Sequence, residues 1–209
     1  EQTGEPTETP EITEQPAGTD VPSGGDEQSG FTDVPEDAWY KDTVDYVVEN
    51  GLMNGTSETE FSPETDITRG MFVTVLYRME GSPETELDYS FTDVAADAYY
   101  VEAVAWADDN GIVTGYPAEE FVPDQTISRE QMAAIIYRYA GHKGADMDVS
   151  GNINYVDAES VSGYALTAVE WVSENGIMQG RTDGTFAPAE FTTRAEAAAV
   201  FERTHKMFG

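Results

Sequence analysis

Apolar residues recur along this chain at helical spacing in three places, and each run stops at Asn-Gly. In the middle one, Ala98, Val101, Val104, Ala105 and Ile112 surround Trp106; Trp39, Val44, Val47 and Val48 repeat the pattern earlier, and Leu166, Val169 and Val172 later. A period near 3.6 predicts an amphipathic helix with one core-facing stripe. Asn50-Gly51, Asn110-Gly111 and Asn175-Gly176 then supply the left-handed residue that ends a helix. A second apolar helix follows each stop, as in Met132, Ile135, Ile136 and Tyr139, with Thr68, Ser128 or Thr193 where its N-cap belongs. The glycine- and proline-punctuated loop between the two helices carries one aromatic residue, Phe121 in the middle copy, placed to plug the core. Six helices in three pairs predict an all-α fold of three tandem helix-loop-helix repeats.

The loops fix the register of the repeat. An aromatic-X-Asp triplet opens each copy (Phe31-Thr32-Asp33, Phe91-Thr92-Asp93, Tyr155-Val156-Asp157), and Gly55, Gly115 or Gly180 stands four residues after the Asn-Gly glycine. Phe61, Phe121 or Phe186 follows, then Pro63, Pro123 or Pro188, then Arg69, Arg129 or Arg194, all at constant offsets. A copy of about fifty residues buries too little apolar surface to stand alone, so the three must pack on one another. The boundaries predicted are an acidic linker over 1–29 and modules over 30–82, 83–142 and 143–209. Residues 1–29 carry eight acids, four prolines, no base and no aromatic residue, a composition that predicts disorder.

Charge narrows the partners. With 41 acidic and 10 basic residues the net charge is −31, which argues against nucleic acid and against an anionic membrane surface. Cysteine is absent, so disulfides and thiolate metal sites are excluded. The segment begins at Glu1 with no apolar run, and reads as a fragment or mature part of a longer protein, with no membrane insertion expected.

Six of the ten basic residues fall at two equivalent places in the second helix: Arg69, Arg129 and Arg194 at its start, and Arg78, Arg138 and Arg203 nine positions later. Nine residues turn a helix by about 900°, so the two arginines of a copy face opposite sides. The later ones complement the negative C-terminal end of the dipole; the earlier ones sit at the disfavoured positive end and need another partner. Two partners are open, a carboxylate of the chain such as Asp33, Asp93 or Asp157, or an anionic ligand bound by the arginine, the capping hydroxyl and the first helical amides. Trp39, Tyr99 and Tyr164 recur at one helix position, suited either to stacking on a sugar or to filling a gap between helices. Asp146, Asp148, Ser150 and Asp157 match the offsets of a calcium loop whose final Glu is replaced by Asp; apart from that possible calcium, no cofactor is expected. His142 and His205 are not at equivalent positions, and no nucleophile elbow or phosphate loop occurs, so an enzyme is not expected.

Phe-Thr-Asp-Val, twice intact, the Asn-Gly turn with its second glycine, the Phe-X-Pro loop and Thr-Arg-Ala-Glu at Thr193 to Glu196 together resemble the S-layer homology (SLH) family from Phe31 to the C-terminus. The resemblance implies a pseudo-threefold bundle in an extracellular bacterial protein at the cell wall or S-layer. It implies non-covalent anchoring through a secondary cell-wall polysaccharide, often bearing a pyruvylated amino sugar, or through a related peptidoglycan-associated anionic glycan, held in grooves between modules. Carried over residue by residue, Arg69, Arg129 and Arg194 face the glycan. Asp33, Asp93 and Asp157 accept its hydroxyls or orient the groove, and Gly55, Gly115 and Gly180 let backbone approach the sugar. The competing expectation is a protein-interaction or lattice-forming module, with a monomer favoured. Thr68-Arg69 is followed by Gly70-Met71 and Ser128-Arg129 by Glu130-Gln131, so unequal grooves are expected, with Arg194 in the best preserved motif.

Overall fold

The computed structural model describes residues 30–209; the acidic linker predicted over 1–29 lies outside the described residues. Six α-helices run α1 Lys41–Glu49, α2 Arg69–Met79, α3 Val101–Asp109, α4 Arg129–His142, α5 Leu166–Glu174 and α6 Arg194–Phe208, with a 3₁₀ turn at Ala158–Ser160. The described residues form an all-α fold, joined elsewhere only by isolated bridges.

The predicted stops and starts occupy their places. Gly51, Gly111 and Gly176 have φ of 67°, 64° and 69°, and the preceding Asn50, Asn110 and Asn175 side chains donate to the carbonyls of Tyr46, Trp106 and Trp171 at 2.7 to 2.9 Å. Thr68, Ser128 and Thr193 accept from the N3 amides of α2, α4 and α6. In α4 and α6 the N3 side chains Gln131 and Glu196 accept in return from the cap amide, closing a capping box. Leu166 departs from the expected burial, standing 41% exposed at the start of α5.

The helices pair across module boundaries: α2 packs on α3, α4 on α5, and α1 on α6. The first helix of each module therefore covers the second helix of the module before it, and α1 closes the circle on α6. Aromatic residues follow the same seams, Tyr77 against Trp106, Tyr137 against Trp171 and Tyr46 against His205, with centroids 5.8 to 6.0 Å apart. At the centre the backbone forms a closed triangle: Ile67 N donates to Thr192 O, Thr192 N to Ile127 O, and Ile127 N to Ile67 O. These relations give the molecule its pseudo-threefold form.

Phe61, Phe121 and Phe186 are fully buried, each against the opening aromatic residue of its own module at 5.3 to 5.7 Å. The residue after each phenylalanine takes a left-handed backbone: Ser62 at φ 57°, Val122 at 55° and Ala187 at 57°. A β-branched residue there is strained by about 1–2 kcal/mol. Val122→Asn is therefore expected to stabilise the protein by about 1 kcal/mol, because asparagine tolerates this region. A denaturant midpoint that fails to rise would show that the strain is absorbed elsewhere.

Candidate functional site

The early arginines leave their own modules. Arg69 Nε donates to Phe121 O at 2.9 Å, Arg129 Nε to Phe186 O at 2.7 Å and Arg194 Nε to Phe61 O at 2.8 Å. Each guanidinium lies over the ring of the phenylalanine it bonds, 4.7 to 4.9 Å from the centroid. Arg129 and Arg194 donate again through Nη2, to Gln179 O and Asn54 O. Arg69 instead faces the Tyr116 ring at 5.0 Å. Burial pulls all three guanidinium groups below their ordinary pKa, yet arginine keeps its proton in proteins. Among the described residues no carboxylate forms an ion pair with them. The partner that the protein itself supplies at the positive helix end is thus a carbonyl and a ring of the adjoining module, not a carboxylate of the chain.

The helix starts are also spoken for. In α2 the N1 and N2 amides, Arg69 N and Gly70 N, donate to Gln125 O and Pro123 O; in α4, Arg129 N and Glu130 N donate to Glu190 O and Pro188 O; in α6, Arg194 N and Ala195 N donate to Thr65 O and Pro63 O. The cap hydroxyl takes the N3 amide, so the expected anion receptor of free backbone amides is not available. These bonds fasten one module to the next.

Asp33, Asp93 and Asp157 also act inside the fold. Their two carboxylate oxygens accept from the amides of Phe61 and Ser62, of Phe121 and Val122, and of Phe186 and Ala187, all at 2.7 to 2.8 Å. The carboxylate clamps the left-handed loop, and none of the three lines a groove. Of the two roles expected of them, accepting sugar hydroxyls or orienting the groove, this geometry fits the second, since they shape the loop that carries the groove.

Gly55, Gly115 and Gly180 do line the grooves, but the space a side chain would need is filled from within. A Cβ at Gly115 would stand 2.5 Å from Phe91 Cε1 and 2.6 Å from Glu120 O; at Gly180 it would stand 2.4 Å from Tyr155 Cε1. Packing of the module's own opening ring is by itself enough to demand glycine.

Three grooves run beside the second helices. The α4 groove, about 380 Å³, is lined by Thr114 to Pro117, by α4 with Arg138, by Arg69 and by Tyr164. The α2 groove, about 70 Å³, is lined by Asn54 and Gly55, by α2 with Arg78, by Arg194 and by Tyr99. The α6 groove, about 520 Å³, is lined by Gln179 to Asp183, by α6 with Arg203, by Arg129 and by Trp39. Each groove takes its loop and helix from one module, its early arginine from the module before, and its aromatic residue from the module after. Trp39, Tyr99 and Tyr164 are 66%, 57% and 56% exposed, so they wall the grooves instead of filling gaps between helices. Burial and the neighbouring Glu130 push the Tyr164 phenol up to about 12, so it remains a neutral donor to Glu130 at 3.2 Å.

Arg78, Arg138 and Arg203 escaped the sequence reading as site residues. Their nine-residue offset does place them opposite the early arginines, but a helix flanked by two neighbours serves two grooves. Each late arginine consequently meets the early arginine of another module. The same geometry divides Thr193-Arg194-Ala195-Glu196: Arg194 reaches the α2 groove while Glu196 lines the α6 groove. The best preserved motif does not mark one best groove.

The proposed calcium loop is not assembled. Asp157 is committed to two amides, Ser150 bonds Glu174, and Asn152 N donates to Glu170. Among the described residues no group of three or more His, Cys, Asp and Glu is placed to hold a metal ion. Nor is any described helix long and apolar enough to cross a membrane.

A family model described as the S-layer homology domain matches residues 30–70, 90–133 and 154–198. The chain is 34% identical over 171 residues to an endoglucanase of Bacillus sp. (strain KSM-635), which covers 81% of this chain and 18% of that protein. It is 30% identical over 168 residues to the surface-layer 125 kDa protein of Lysinibacillus sphaericus, covering 78% of this chain and 14% of that protein. It is 29% identical over 182 residues to an S-layer protein of Bacillus thuringiensis subsp. finitimus, covering 86% and 22%. The chain thus spans less than a quarter of each of these relatives.

Proposed function

The chain belongs to the S-layer homology domain family, and on that premise we propose that it anchors a larger extracellular protein to the bacterial cell envelope by holding an acidic secondary cell-wall polysaccharide in its inter-module grooves. The role is one of binding, and the catalytic activity named for the endoglucanase belongs to that protein. One observation carries the reading. In the α4 groove the buried Arg69, packed on the Phe121 and Tyr116 rings, hydrogen-bonds within the protein through Nε alone, and Arg138 makes no hydrogen bond or ion pair among the described residues, beside the exposed Tyr164.

Two guanidinium edges can grip a carboxylate through paired charge-assisted bonds, while the tyrosine face takes the apolar side of a sugar ring. A pyruvate ketal on an amino sugar combines those two features, an anion fixed to a ring. The net charge of −31 opposes an anionic polymer only beyond contact, since salt screens it over about 10 Å. Affinity is therefore short-ranged and depends on the fit.

Arg138→Ala tests this without disturbing the frame, because that side chain supports no other residue through a hydrogen bond. Titrated with purified wall polysaccharide, the variant is expected to bind at least about tenfold more weakly, the loss of one charge-assisted bond. Removing pyruvate from the polysaccharide should weaken the wild type by a comparable factor. Equal affinities of Arg138→Ala and wild type would reject the cationic groove and favour a protein-interaction or lattice-forming module.

A further inference from the structure

The three grooves differ in what already occupies their cations. The residue following the groove glycine is Thr56 in the α2 groove, Tyr116 in the α4 groove and Arg181 in the α6 groove. Arg181 Nη2 lies 2.5 Å from Glu190 Oε2, and its Nη1 lies 3.3 Å from Glu196 Oε1. Among the described residues these are the ion pairs made by any arginine. Glu196 comes from the first turn of α6 and Glu190 from the loop leading into it, so the carboxylates are carried by the same module as Arg181.

The α6 groove is the most spacious of the three, but Glu196 lines it beside Arg181, and Glu190, outside the lining, holds the other edge of the same guanidinium. The α4 groove is nearly as roomy, at about 380 Å³, and its single lining carboxylate, Glu130, is held by Ser162 and Tyr164 rather than by an arginine. At about 70 Å³ the α2 groove is well short of the volume of an ordinary ligand site.

Resting on the glycan reading above, we propose that the α6 groove is latched from within. A carboxylated sugar fills the α4 groove first and enters the α6 groove only by displacing Glu190 and Glu196 from Arg181. Ion pairs as exposed as these are individually weak, so the latch is reversible and costs the ligand about tenfold in affinity. Wall material is then held at one groove when sparse and at a second when abundant.

Trp39 makes the two grooves separable, because it walls the α6 groove while Trp106 and Trp171 are buried in the core. The probe is a monomeric amino sugar bearing a pyruvate ketal, with the ketal-free sugar as control and Trp39→Tyr as the fluorescence blank. Calorimetry reports all binding, and Trp39 emission reports the α6 groove. In the wild type the Trp39 response is expected at concentrations about tenfold above the first calorimetric midpoint.

In Glu190→Gln/Glu196→Gln the Trp39 response should move down about tenfold, with the first event unchanged. Glutamine keeps the α6 capping box, as Gln131 does in α4. Coincident midpoints in the wild type, or an unmoved Trp39 response in the double variant while heat is still released, overturn the latch alone. Absence of both heat and emission change in both proteins overturns the glycan reading and the latch with it.

Discussion

Gly180→Ala is expected to destabilise the protein by about 3 kcal/mol or more, the upper range for forcing an atom into a filled interior. Its new methyl would lie 2.4 Å from Tyr155 Cε1 and 2.9 Å from Thr185 O. The ring cannot yield easily, because it packs on Phe186 at 5.3 Å and its hydroxyl bonds Ser173 at 2.9 Å. Displacing Phe186 in turn disturbs the carbonyl and ring that hold Arg129. In a chain of this size the loss corresponds to a fall of roughly 6–12 °C in the midpoint of thermal unfolding. Gly163→Ala is the internal control, with nothing within 4 Å of the added atom and no positive φ. It should leave the midpoint unchanged or raise it slightly. Similar midpoints for the two variants would mean that the loop repacks at little cost.

Removal of the first module is expected to have the larger effect. The segment 90–209 keeps α4 on α5 but strips α1 from α6 and α2 from α3. It also removes the carbonyls of Phe61 and Asn54 from Arg194 and those of Thr65 and Pro63 from the first amides of α6. A buried cation and two buried amides lose their acceptors together, each at about 1–3 kcal/mol, beyond the apolar faces exposed. The sum reaches the whole stability of an ordinary domain, about 5–15 kcal/mol. The segment should therefore show no cooperative thermal transition by circular dichroism. Supplying residues 30–89 as a separate chain should restore a concentration-dependent one. A cooperative transition of 90–209 alone, near that of the full chain, would show that the modules are autonomous and that the ring is not the folding unit.

Much of the fold was legible in the chain. The caps at Thr68, Ser128 and Thr193, the stops at Gly51, Gly111 and Gly176, and the buried Phe61, Phe121 and Phe186 follow from local chemistry, which acts over a few residues and leaves a mark in the sequence. The exposed aromatic residues and early arginines were visible as candidates. Their partners were not, because Arg69 meets Phe121 and Arg194 meets Phe61 across 52 and 133 residues of chain. Asp33 gave a recurring carboxylate, but whether it bonds a guanidinium, a sugar or two amides depends on where the loop 28 residues later returns.

By itself, then, the sequence determined three copies of one helix-loop-helix unit, with the caps and stops of their helices and most of the apolar face each one buries. Only the tertiary structure decided that each first helix lies on the module before it, that α1 closes on α6, and that opposite sides of one helix serve different grooves. The reason is physical. Periodicity specifies that a face must be buried, but three near-equivalent modules offer near-equivalent surfaces to bury it against, and the choice among them is made by the joint packing of all six helices.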